Sequence, residues 1–169
     1  MWPFTKKQKD RKNEPVDVSK PVENPALLSA FRRHIEERSE SSALALGQAL
    51  NSSVYLIPII ADEMNTTPSG PGKVTIKTGS LIKFMNCQNE KGESFLPAFT
   101  DWNEIRKWVS AEVSTIVMPS EDLWEFVLND KYYAGVAINP ASVAWTLFQP
   151  NIQALIEDAS MPNRVAGGF

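Results

Sequence analysis

Two residues that carry reactive chemistry occur once each in this chain, Cys87 and His34. A thiol attacks as thiolate, and an imidazole within hydrogen-bond reach is its usual base. Nothing local joins the two. Cys87 lies between Asn86 and Gln88 with no neighbouring cation to lower its pKa, and His34 sits at the margin of an apolar helical stripe. The plain reading is a surface or interface histidine and an inert, half-buried thiol. General acid–base work needs two carboxyls in unlike environments. The candidate pairs are Asp62 with Glu63, Asp101 with Glu104, and Glu121 with Asp122. The first falls in a loop. The other two fall in the first turns of helices, where acids occur for the macrodipole alone. Ser69-Gly70-Pro71-Gly72 is the one Gly-rich stretch; it lacks the Gly-Lys-Ser/Thr ending of a phosphate loop, and Pro71 has no N–H to offer. No metal-ligand spacing appears, and no cofactor is expected.

The composition places limits on the rest. The chain has 169 residues, 43% hydrophobic and 22% charged, with one Cys and one His. That is an ordinary globule of one domain, without a disulfide framework or a zinc finger of its own. No apolar run approaches the ~18 residues of a membrane span, and no hydrophobic leader follows Met1. The charge is uneven. Residues 1–14 hold five bases (Lys6, Lys7, Lys9, Arg11, Lys12) against Asp10 and Glu14, which is +3; the other 12 bases and 18 acids give -6. An acidic body is a poor match for a nucleic-acid backbone, so no nucleic-acid partner is expected. The lone thiol fits a reducing cytoplasm.

These residues must be positioned by helices and strands. Residues 1–23 read as a disordered, basic and polar arm, and 159–169 as a frayed tail. Asn24-Pro25 opens a helix, with Asn as N-cap and Pro at the first position. Leu27, Leu28, Phe31 and Ile35 form its apolar stripe. Ser39 to Ser42 break it, and 43–50 form a second helix. Val54 to Ile60 is apolar without alternation and predicts a buried strand, with Pro58 near an end or a bulge. Residues 61–72 read as a loop. Strands follow at 73–77, 81–87 and 93–98, the last two joined by a turn at Asn89 to Gly92. Thr100 or Asp101 caps a helix to Val109, with Glu104 in capping-box position. Then come a strand at 113–118, a helix from Ser120, strands at 135–138 and 143–148, and a last helix at 150–158. The order predicts an α+β (α/β-like) single domain, 24–158, with a mixed sheet of about five to seven strands covered by helices.

Trp102 and Trp108 are six residues apart on one helix, and Trp124 and Phe126 two apart on another. At ~100° per residue neither pair shares a face. One large aromatic on each helix is therefore left near the rim, as at a partner surface.

The run Asn89-Glu90-Lys91-Gly92-Glu93-Ser94-Phe95-Leu96-Pro97-Ala98-Phe99-Thr100-Asp101-Trp102 resembles the phrase "-LPAFTD-" of the SseB family, named for enhanced serine sensitivity in bacteria. Gly135-Val136-Ala137-Ile138-Asn139-Pro140 with Ser142 resembles that family's "-GvviNP-s-" strand. The likeness spans about 24–158. It implies a cytoplasmic α+β or α/β domain, carries no assigned catalytic residues, and gives longer members a further C-terminal domain.

The expectation is a non-catalytic binding, regulatory or protein-interaction domain. Its candidate site lies where the loops after two strands meet, with Thr100, Asp101, Trp102, Asn139 and Ser142 as contacts. The partner class is an unidentified small molecule or a protein, and a homodimer stays open. The alternatives are a small metal-independent enzyme using Cys87 or Asp101 with His34, or an adaptor that uses the basic N-terminal arm.

Overall fold

The computed structural model describes residues 20–60, 66–70, 73–76 and 82–158. The basic arm, apart from residues 20–23, the 159–169 tail, and the Asp62–Glu63 pair lie outside these residues. The elements run α1 (Pro25–Glu37), α2 (Glu40–Ser52), β1 (Val54–Ile60), β2 (Thr66–Gly70), β3 (Lys73–Ile76), β4 (Lys83–Phe84), β5 (Cys87–Gln88), β6 (Ser94–Ala98), α3 (Trp102–Trp108), β7 (Ser114–Pro119), α4 (Ser120–Asn129), β8 (Gly135–Ile138), β9 (Trp145–Phe148) and α5 (Gln149–Asp158). No helix among the described residues is long and apolar enough to cross a membrane.

The boundary between α1 and α2 follows from local chemistry. Arg38 takes a left-handed conformation at φ 49° and its N–H donates to His34 O, which closes α1. Ser39 then caps α2 in a reciprocal box with Ser42, satisfying backbone donors that the helix leaves open. The expected cap of α1 behaves otherwise. Asn24 stands at the N-cap position but makes no cap bond; its amide donates to Val54 O and Thr100 O instead.

The mixed sheet is divided into a three-stranded part, β4-β1-β7, and a four-stranded part, β5-β6-β8-β9. An antiparallel bridge between Leu56 and Phe99 joins them. In the four-stranded part β6 and β8 run parallel, and the other pairings are antiparallel. The α3-β7-α4 segment is the crossover that a parallel pair requires. Four helices cover one face: α1, α2, α4 and α5 bury Leu27, Phe31, Leu46, Leu50, Leu123, Trp124, Ile152 and Leu155 against Tyr55, Ile57, Leu96, Val136, Ile138 and Leu147. Each such side chain contributes about 1.5–3 kcal/mol by leaving water. On the other face Leu56, Phe99 and Ile105 form a second core under α3, with Val22, Trp108 and Val117 packed on it.

Pro58 lies inside β1, not near an end. Leu56 spends its N–H and C=O on Phe99, so the alternate residues 55, 57 and 59 carry the ladder to β7. The missing N–H of Pro58 thus falls on the side away from β7, where its carbonyl accepts from Met85 N, and no β1–β7 bond is lost. Two further expectations are corrected. Thr66–Gly70, expected within a loop, is a strand paired antiparallel with Lys73–Ile76; a register shift between Pro68 and Gly70 accommodates the proline. The strand expected at 81–87 is two short ones, because Lys83–Phe84 pairs with β1 while Cys87–Gln88 pairs with β6.

Candidate binding surface

Because β6 and β8 are parallel and in register from Phe95–Gly135 to Ala98–Ile138, their carboxyl ends emerge side by side. This brings the two expected loops together. Thr100 N–H donates to Asn139 Oδ1 at 3.1 Å, and Asn139 Nδ2 donates to Thr100 Oγ1 at 2.9 Å. The Thr100 hydroxyl donates onward to Asp101 Oδ2 at 2.9 Å. Asn24 Nδ2 holds Thr100 O at 2.8 Å from behind. Asn139 adopts φ 47°, a left-handed conformation that Asn tolerates better than most side chains. Its N–H donates to Ala98 O, and its carbonyl accepts from Ser142 N and Ala144 N, which closes the following turn.

The five expected residues therefore divide into two sets. Thr100 and Asn139 are 0% and 1% exposed and bonded to each other; they fasten the loops. Asp101 caps α3, accepting from Asn103 N and Glu104 N at 2.9 and 3.1 Å. Trp102, 38% exposed, and Ser142 face solvent. Sequence reasoning missed two members, Asn24 and Glu104. Glu104 does not return to the Asp101 N–H in a capping box. It is buried, accepts from Ser142 Oγ, and pairs with Lys107. That bond and the nearby carboxylate raise the Lys107 pKa, with Asp101 adding to it. The spacing of Asp101 and Glu104 marked a helix start; nothing in it pointed to Ser142.

The aromatic expectations resolve individually. Trp108 packs on Phe99 with centroids 5.4 Å apart. Trp124 is buried and its Nε1 donates to Asn51 Oδ1 at 2.9 Å. Trp102 is the aromatic left at the rim. An open depression of about 550 Å³ lies at the opposite, amino-terminal ends of β6 and β8, lined by Glu93, Lys131, Tyr132 and Tyr133 among others. Asn86 Nδ2 donates to Tyr132 OH there at 2.8 Å.

The structure does not assemble the thiol–imidazole pair. Cys87 is in register with Phe95, Gly135 and Phe148 across the sheet. His34 packs edge-on against Trp145, centroids 5.9 Å apart. Trp145 is three strands across and three residues along, so its Cα is roughly 17 Å from that of Cys87. His34 Nδ1 is instead 2.8 Å from Ser42 Oγ, and Cys87 Sγ lies 3.7 Å from Phe95 O. The bonds of Asp101 run to Thr100, Asn103 and Glu104, not to His34. Among the described residues no group of His, Cys, Asp and Glu is arranged to hold a metal.

Burial is the main cause that pushes the Cys87 thiol from its ordinary 9.0 up to about 11. At neutral pH this leaves about a hundredth of the thiolate of an unshifted cysteine. The expected rate of reaction with a disulfide reagent at pH 7.5 is lower by a similar factor; a rate equal to that of a free thiol would contradict the burial. Because the folded pKa is raised, this group's contribution is intact below about pH 9. Stability falls as pH rises through about 11, since the unfolded chain releases the proton first.

A family model described as the SseB protein N-terminal domain matches residues 26–154. No curated protein and no solved structure matches the chain.

Proposed function

The chain belongs to the family of the SseB protein N-terminal domain, and on that premise we propose that it is a non-catalytic binding and regulatory domain of the protein-interaction type. Its contact surface is the rim at the carboxyl ends of β6 and β8. Asp101, Trp102 and Ser142 are the outer contacts, and Thr100 and Asn139 hold them in place. The observation that carries this reading is the division of the cluster. Its inner half is sealed and bonded to itself, while a one-third-exposed tryptophan stands on the helix which that half anchors. A rigid aromatic at low entropic cost is the usual centre of a recognition surface. Ligands of open sheets with parallel strands favour these strand ends. The reading includes a cytoplasmic setting, in keeping with a single, unpaired cysteine.

The test is a thermal-shift screen of amino acids, nucleotides and common metabolites, run in parallel on Trp102→Ala. The variant is expected to lose less than about 2 kcal/mol of stability, since its indole is already partly exposed. Any shift above ~2 °C seen with the native chain should vanish in the variant. A hit that shifts both proteins equally places binding elsewhere, and turnover of any hit removes the non-catalytic reading.

A further inference from the structure

The depression at the amino-terminal ends of β6 and β8 lies at the far end of these strands from Trp102. Its volume of about 550 Å³ is that of a small-molecule site. Its walls are fixed by backbone. Ala134 N–H donates to Ser94 O at 2.7 Å, and Gln149 N–H donates to Ala134 O at 3.0 Å. These bonds fasten the loop between α4 and β8 to β6 and to the start of α5. Gln149 Nε2 adds to them, at 3.0, 3.1 and 2.9 Å from the carbonyl oxygens of Val127, Asp130 and Tyr133.

Most polar side chains around the depression are held at one atom and open at another. Glu93 Oε2 accepts from Asn89 Nδ2 at 2.7 Å, which leaves Oε1. Both Nε2 hydrogens of Gln149 are spent on carbonyls, which leaves its Oε1. The hydroxyl oxygens of Tyr132 and Ser94 accept from Asn86 and Gln88, which leaves both protons to donate. Tyr133 is 7% exposed; its hydroxyl has no partner among the described residues, yet it is not sealed. Burial, then the Asp130 charge, then Tyr132 push that hydroxyl up to about 12, so at neutral pH it carries a proton to donate.

Charge and geometry narrow the ligand. Glu93 in the wall, and Asp130 close enough to act on Tyr133, oppose an anion; Lys131 in the wall opposes a cation. A neutral molecule is left. Base edges, carboxylates and phosphates are gripped by two adjacent atoms of one side chain. Gln149 and Glu93 each have one of their two atoms already spent. The remaining groups are acceptors and hydroxyl donors taken singly. Beside them stands the ring of Tyr132, 59% exposed and at 85° to that of Tyr133. We propose that this depression is a saccharide site. A neutral pyranose lies with its C–H face on Tyr132, and its hydroxyls bond singly to Glu93, Gln149, Ser94 and the two tyrosine hydroxyls. Sugar hydroxyls both donate and accept, as this set requires, and an aromatic ring covers the apolar face at low entropic cost.

Saturation-transfer NMR on the full chain with D-glucose, D-galactose, D-mannose and maltose tests the assignment. At least one sugar should bind with a Kd of about 10 mM or tighter. Tyr132→Ala should weaken that binding about tenfold or more. Tyr132→Phe keeps the ring and loses one hydrogen bond, and should weaken it about threefold. More than half of this side chain is exposed, so both variants should fold, and circular dichroism checks that they do. Should the alanine variant not fold, the phenylalanine variant decides. Trp102→Ala should bind the sugar as the native chain does, which separates this site from the rim at the opposite strand ends. The proposal is overturned if none of the four sugars receives saturation, or if their binding is indifferent to the Tyr132 variants. It is also overturned if uridine, glutamate or lysine binds more tightly than every sugar, since the occupant would then be a base or a charged molecule.

Discussion

Gly135→Ala is expected to destabilise the domain by about 3 kcal/mol or more. A Cβ on Gly135 would lie 1.9 Å from Leu147 O and 2.8 Å from Leu147 C and Phe148 Cα. All three are backbone atoms of β9, so no rotamer change relieves the contact. β9 must move away from β8, and β9 carries Trp145 and Leu147 into the main core. For a domain of this length the loss corresponds to a fall in Tm of roughly 6–12 °C. Gly92 gives the contrast. It adopts φ 77° in the turn before β6 with nothing within 4 Å of a would-be Cβ, so alanine there pays for backbone conformation alone, about 1 kcal/mol. Two thermal melts distinguish the cases. A Gly135→Ala protein melting within a degree of the native chain would mean that β8 and β9 are not packed as closely as this.

The second large effect belongs to the fastened loops. Asn139→Ala removes the acceptor of a buried Thr100 N–H and a donor to Thr100 Oγ1. Leaving one buried backbone donor unpaired costs about 1–3 kcal/mol. Alanine also tolerates φ 47° less well than asparagine, adding about 1–2 kcal/mol. The total is expected near 2–5 kcal/mol in urea titration. Asn139→Gly relieves the strain but not the lost bonds, so the order of stability should be Asn, Gly, Ala. Thr100→Val keeps shape and loses the hydroxyl, and with Asn139→Ala it completes a double-mutant cycle. The expected coupling is about 1 kcal/mol; additive losses would show that the two side chains do not act as a unit. Since Trp102 follows Thr100 by two residues, loosening this pair should also abolish whatever binding Trp102 supports.

Much of this was legible before any coordinates. All five helices follow from apolar spacing and caps: the Leu27–Phe31 stripe, the Ser39–Ser42 break, Asp101 before Trp102, and Glu121 and Asp122 at the start of α4. The strands β1, β7 and β8 follow from apolar, β-branched runs, β6 from the Asn89–Gly92 turn before it, and β9 from the apolar segment after Asn139-Pro140. These signals are local, so composition within a few residues of each position carries them. The resemblance of the Leu96–Trp102 and Gly135–Ser142 segments pointed to the same two loops that the structure joins.

What remained hidden depends on partners distant in the chain. Asn24 looks like a cap, and only the fold places its amide between Val54 and Thr100, 30 and 76 residues away. Glu104 looks like a first-turn acid, and only the fold sets it against Ser142. Pro58 looked unfit for the middle of a paired strand, because hydrogen-bond parity depends on which neighbour lies on which side. The separation of Cys87 from His34 is likewise a matter of strand order. Sequence by itself determined the helices, the longer strands, their order and the two loops, because their formation answers to nearby residues; the strand at Thr66–Gly70 and the division of β4 from β5 came from pairing. Tertiary structure alone decided which polar side chains are sealed, which stay in reach of solvent, and which strands lie side by side, because burial and pairing are properties of the assembled sheet.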